Sequence, residues 1–162
     1  MRSTTLAAGL GLALAGWTAL TAGGQSQPEW NFLNLLNAHR AAAEACWDGR
    51  AFVPWPADGT PKLRMSPALS RAAKAHNDAM VATGCTDHTC PGEPRLPERA
   101  ALAGYPPRWD FLSENIAGGF ETARDVFGAC DASRGHRRNM ASWPAHAVGV
   151  PGVQGAGSLP WA

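Results

Sequence analysis

From Glu29 to Trp47, the apolar residues Trp30, Leu33, Leu36 and Ala43 recur near a 3.6-residue period. Phe32 and Leu35 widen that face, and Asn31, Asn34, Asn37 and Arg40 fall on the other side. The pattern predicts an amphipathic first helix. A second opens at Ser66-Pro67, an N-cap followed by proline at the first helical position. It carries Leu69, Ala72, Ala73, His76, Ala79 and Met80 at helical spacing until Gly84. Pro97 to Leu102 reads as a short helix ended by Gly104, and Glu121 to Ala132 as a third long one with Ala123, Val126, Phe127 and Cys130 on one side. Ser133 to Met140 is a compact basic turn or short helix. Pro106-Pro107 force an extended segment into Trp109 to Ala117, read as a strand that Gly118-Gly119 end. Ala145 to Val150 is a second strand, and Val153 to Trp161 a degenerate last one. Between the first two helices, Asp48 to Pro61 is a proline- and glycine-rich ordered loop that Trp47, Phe52 and Trp55 pack onto the body. With connections this short, the economical architecture is α+β, an antiparallel sheet covered by helices.

The first residues differ in kind from the rest. Arg2 is followed by an apolar run, Leu6 to Leu20, and then by small and polar residues from Thr21 to Gln27. That is the pattern of a secretory signal peptide over residues 1–24, cut between Ala22 and Gln27. The run is interrupted by Gly16 and Thr18 and is shorter than the ~20 residues of a membrane span. The remainder of the 162 residues has room for one domain, taken as 29–162. Without Arg2 the chain holds 13 basic and 13 acidic residues, and its basic residues are scattered apart from Arg137-Arg138. That balance argues against a nucleic-acid partner.

A leader of this kind sends the chain to a secreted or periplasmic location, where thiols pair. Four cysteines allow three pairings. Cys85 with Cys90 closes a tight loop around His88, and Cys46 with Cys130 joins two predicted helices. A histidine held in so small a ring has little backbone freedom, which suits an aimed ligand. His39 reads as a surface or boundary residue and His76 as a hydrogen-bonded packing residue. Glu114, at the mouth of the glycine-terminated run Ser113 to Phe120, is the carboxylate placed in the cleft.

Short motifs then line up in order: Leu36-Asn37-Ala38-His39-Arg40, Leu69 to Met80, Asp87-His88-Thr89, Gly104-Tyr105, Glu114-Asn115-Ile116-Ala117, Ser133 to Met140 and Val148-Gly149-Val150. Together they resemble the CAP superfamily of cysteine-rich secretory proteins, antigen 5 and pathogenesis-related 1 proteins, in its bacterial SCP-like branch, from Leu33 to about Val150. The resemblance implies an α-β-α sandwich with a small central antiparallel sheet and a cleft carrying two histidines and up to two glutamates. By motif these are His88, Glu114 and His136. The family's second glutamate would fall near Ser133 and is absent here, Cys130 stands where a tryptophan is common, and Ala147 where an acidic residue is usual.

Two imidazoles and a carboxylate are the ligand types of a divalent-metal site, so zinc or another divalent metal held weakly by His88, Glu114 and His136 is an expectation. The reading the resemblance implies first is a secreted, non-enzymatic binding or effector module, with a small apolar ligand or a cell-envelope component as partner. A metal-dependent peptidase or esterase with Glu114 and His136 as catalytic groups comes second, and a structural cell-envelope interaction module third. Ser133 and His136, at i,i+3 spacing, read as a local capping contact rather than a nucleophile with its base.

Overall fold

The structure, a computed structural model, describes residues 25–43, 45–48, 50–55 and 61–151. The leader, the proposed cleavage point before Gln25 and the strand expected at Val153 to Trp161 lie outside the described residues. The described chain runs α1 (Gln27–Ala42), β1 (Ala45–Trp47), β2 (Phe52–Pro54), β3 (Arg64–Met65), α2 (Pro67–Thr83), α3 (Leu96–Leu102), α4 (Ala123–Ala132), α5 (Arg134–Met140) and β4 (Ala147–Val148).

Helix α1 starts where the Glu29 carboxylate turns back to accept the Ser26 backbone N–H, with proline in the first turn. It ends at Ala42, short of the expected Trp47, and the next residues form an antiparallel hairpin with Cys46 opposite Val53. Arg40, expected on the polar face, is instead buried. Its Nη1 donates to the carbonyls of Met140 and Ser142, both at 2.9 Å, and its Nε and Nη2 reach the Pro61 carbonyl at 3.3 and 3.2 Å. Its guanidinium also lies 5.3 Å from the Trp55 ring centroid. A guanidinium offers five donors, which makes this burial tolerable, and here they tie the helix to two distant loops. Asn37 does similar work one turn earlier: its amide donates to the Leu63 carbonyl at 3.0 Å and accepts the Leu63 N–H at 2.8 Å.

The apolar face of α1 meets α4 and α5. Leu33, Leu36, Leu63, Ala123, Val126, Cys130, Met140 and Val150 form one buried cluster, and the Phe32 and Phe127 rings meet edge-on with centroids 6.1 Å apart. Helix α2 begins at its expected cap, with Ser66 Oγ accepting the Leu69 N–H, and ends at Gly84 with φ +66. Its alanine-rich face packs α3.

The sheet is smaller and more divided than expected. β1 and β2 pair antiparallel, β3 and β4 pair parallel, and an isolated bridge joins Trp47 to Ser142. The expected strand at Trp109 to Ala117 is irregular apart from a single bridge position at Ala117. The segment is tied to α5 by side chains: Asn139 donates to the Glu114 carbonyl at 3.3 Å and to Asn115 Oδ1 at 2.7 Å, and the Asn115 amide donates to the His136 carbonyl at 3.1 Å. The fold is α+β, with five helices and two two-stranded sheets among the described residues.

The last described strand is seated by a glycine. Val150 N–H donates to Ser70 Oγ at 3.1 Å and Ser66 N–H to the Val148 carbonyl at 2.8 Å. Between these bonds, a Cβ at Gly149 would lie 2.1 Å from the carbonyl carbon of Leu69 and 2.4 Å from the Ser70 nitrogen. Only hydrogen fits there.

Candidate functional site

Three segments converge on Glu114. The irregular run before α4 supplies the carboxylate, the loop after α2 supplies His88, and α3 supplies Arg99. His88 Nδ1 lies 3.1 Å from Glu114 Oε1, and Arg99 Nη2 donates to both Glu114 oxygens at 3.0 Å. Arg99 Nη2 also donates to the His88 carbonyl at 3.2 Å, so one guanidinium group holds both the carboxylate and the loop. The Glu114 and Arg99 side chains are 5% and 3% exposed, whereas His88 is 55% exposed. The pair is buried and the imidazole covers it from the solvent side.

Behind them lies a second carboxylate. Glu93 accepts the Cys90 N–H at 2.5 Å, meets His76 Nδ1 at 2.8–2.9 Å, and stands 3.8 Å from Arg99 Nη1. Burial alone would raise the Glu93 carboxyl, but the Cys90 N–H and the His76 ring, then Arg99, bring it below its ordinary range. Glu114 is the cleft carboxylate expected from the sequence; Glu93 is a second carboxylate, buried behind it. His76 is fully buried and hydrogen-bonded to Glu93, the packing role its position in α2 suggests, and its Nε2 lies 3.8 Å from Glu114 Oε1.

His136 lies in the first turn of α5, whose N-cap Ser133 accepts the His136 backbone N–H at 3.5 Å. Ser133 is thus a cap, as the spacing suggested. Burial, and then the charge of His88, lower the His136 pKa, so the two imidazoles feel one another. Among the described residues the His136 ring makes no hydrogen bond to Glu114. The structure therefore joins His88 to Glu114 and brings His136 within electrostatic reach of His88, but does not close the three into one ligand set. Among the described residues, no group of three or more His, Cys, Asp or Glu side chains could hold a metal ion. The chemistry agrees, since both Glu114 oxygens already accept from a permanent cation. The residues present do not fit a three-ligand metal centre.

Of the two expected disulfides, Cys85–Cys90 is formed, with Cα atoms 5.8 Å apart. Cys46 and Cys130 are free and buried. Because α1 stops at Ala42, Cys46 sits on a strand instead of a helix, while Cys130 faces the cluster between α1 and α4. Burial pushes the Cys130 thiol up to about 11 and raises that of Cys46 as well, which makes both poor nucleophiles.

A cavity of about 660 Å3 opens beside Glu114, lined by apolar residues that include Leu36, Leu69, Phe111 and Leu112. A smaller pocket of about 350 Å3 at His88 and Arg95 shares Leu96, Ser113, Glu114 and Asn139 with it. The polar cluster therefore sits where the two meet. Sequence reasoning missed Arg99 and Glu93. The available signal was charge on a buried face: Arg99-Ala100 are both buried in α3, and a buried arginine needs a carboxylate partner.

The fold and cleft define a small α+β domain with a histidine and a carboxylate at the mouth of its cavity. The model of the cysteine-rich secretory protein family, CAP, matches residues 33–157, and the chain belongs to that family. A solved structure of similar fold is that of an extracellular protein containing an SCP domain from Bacillus anthracis str. Ames, with a TM-score of 0.64 and 17% identity. The similarity covers 83% of this chain and 39% of that one, so the present chain spans well under half of the neighbour's length. No curated protein matches the chain.

Proposed function

We propose that this chain is a secreted CAP-domain binding module whose ligand is a small apolar or amphipathic molecule held in the cavity beside Glu114. The observation that carries this reading is the 660 Å3 cavity itself, within the usual ~300–1,000 Å3 of small-molecule sites and lined mostly by apolar residues, with Arg108, Asp110, Glu114 and His146 among its polar ones. The expected leader and the family's secretory character support export. Turnover is not required by this reading. Glu114 is the group a hydrolase would use as base, and its lone pairs are occupied by Arg99 and His88. The structural reading of the cluster is compatible with this one, because a satisfied salt bridge can hold the wall of a binding cavity.

The test is titration of the neutral fluorophore N-phenyl-1-naphthylamine into the purified chain, with Leu112→Lys as the control variant. Leu112 lines the cavity from an irregular segment, so a charge there alters the cavity wall without breaking a helix. Saturable one-to-one binding that weakens tenfold or more in Leu112→Lys is expected. Absence of saturable binding, or equal binding by a folded Leu112→Lys, refutes the reading.

A further inference from the structure

The sequence sets up a divalent metal at His88, Glu114 and His136, and the structure gives Glu114 a different cation. We propose that Arg99 is the resident cation of this cleft, occupying the charge-compensating place at Glu114 that a metal would need, so that residue 99 decides whether the Glu114 carboxylate is open to a metal ion. The inference stands independently of the apolar-ligand reading.

The geometry makes the two cations mutually exclusive. A metal bound by Glu114 would sit about 2.0–2.2 Å from a carboxylate oxygen. Arg99 Nη2 already lies 3.0 Å from both oxygens, and a guanidinium does not give up its proton in a protein. An incoming metal would meet a fixed positive charge at the same two atoms, in a place where the carboxylate is almost fully removed from water and like-charge repulsion is poorly screened.

Arg99 is also not free to swing aside. Its Nη2 is tied to the His88 carbonyl at 3.2 Å and its Nη1 faces Glu93 at 3.8 Å, so leaving Glu114 would strip a second carboxylate and a loop carbonyl of a partner. One cation thereby serves two buried carboxylates that come from different segments.

The experiment measures zinc affinity by competition with a chromophoric chelator on the full chain, with folding checked by circular dichroism. The variants are Arg99→Met, Arg99→Lys and Arg99→Met combined with Glu114→Gln. Arg99→Met is expected to bind zinc at least tenfold more tightly than the wild type. Arg99→Lys, which keeps the charge, stays near wild-type affinity, and the double variant loses the gain. A folded Arg99→Met with unchanged affinity overturns the proposal, as does an Arg99→Lys that gains as much as Arg99→Met. If Arg99→Met fails to fold, the wild type decides: the Arg99 Nη2–H resonance, the proton held by Glu114, is followed by nitrogen-15 spectroscopy as zinc is added in excess. Retained protection of that proton from solvent exchange supports the proposal, and its loss, which would mean that zinc displaces the guanidinium from Glu114, overturns it.

Discussion

Replacing Gly149 with alanine adds one methyl group to a place with no room for it. The new Cβ would lie 2.1 Å from the Leu69 carbonyl carbon, 2.4 Å from the Ser70 nitrogen and 2.5 Å from Leu69 Cβ. Two of these neighbours are backbone atoms of the first turn of α2, which cannot rotate away, so β4 and α2 must separate by on the order of 1 Å to restore van der Waals contact. Overpacking alone costs about 1–3 kcal/mol. The separation also strains the Val150 N–H to Ser70 Oγ bond and the Ser66 N–H to Val148 carbonyl bond, at roughly 1 kcal/mol each. The expected destabilisation is therefore about 3–5 kcal/mol, a large part of the ~5–15 kcal/mol that holds a domain of this kind. For a chain of 162 residues this lowers the melting temperature by about 10 °C. The internal control is Gly128→Ala in α4, where the added Cβ meets nothing within 4 Å and the lost flexibility of glycine in a helix favours folding by about 0.5–1 kcal/mol. Calorimetry on both variants should move the two melts in opposite directions. A Gly149→Ala melt within two degrees or so of wild type would refute the close approach between β4 and α2.

Three further outcomes follow from the cluster and the cysteines. Glu114→Ala leaves the buried Arg99 guanidinium without its main partner and should cost about 3–5 kcal/mol in urea unfolding without any metal present; an unchanged midpoint would mean that the pair contributes nothing to the fold. Stability should fall with acid. The His136 pKa is lowered in the folded state by burial and then by His88, so the unfolded chain binds the extra proton first and stability drops as the pH falls below about 6.5. The Glu93 carboxyl is also lowered, against the direction of burial, so a second loss follows below about 4.5; a midpoint that rises between neutral pH and pH about 5 would contradict the His136 sign, and one that rises below about 4.5 the Glu93 sign. Finally, iodoacetamide should label neither Cys46 nor Cys130 in the native protein and both in concentrated guanidinium without reductant, with Cys85 and Cys90 labelled only after reduction; mass mapping reads the result, and unlabelled Cys46 and Cys130 in the denatured, unreduced chain would restore the second bridge.

Much of the fold was legible because its signals are local. The cap at Ser66, the glycine at Gly84 and the apolar faces of α1, α2 and α4 are properties of short windows, and all appear where the sequence puts them. The irregular segment around Glu114 was not legible as such. Its flanking prolines suit a strand, but strand formation depends on a partner, and here the Asn139 side chain of α5 takes the Glu114 carbonyl while the Asn115 side chain donates to the His136 carbonyl. The same distinction separates the histidines: His88 is marked out by its small disulfide ring, whereas nothing near His136 in the chain says whether it reaches Glu114.

What the sequence determined by itself, then, is the family, the order of helices, the Cys85–Cys90 loop and the identity of Glu114 and His88 as neighbours. Tertiary structure alone decided that Arg40 is buried, that Cys46 and Cys130 stay apart, that Gly149 lies against α2, and that Glu114 is paired with Arg99. The physical reason is the same in each case. Hydrophobic period and capping act over a few residues, while the burial of a charge is settled by partners far along the chain, and only the folded chain shows which partners those are.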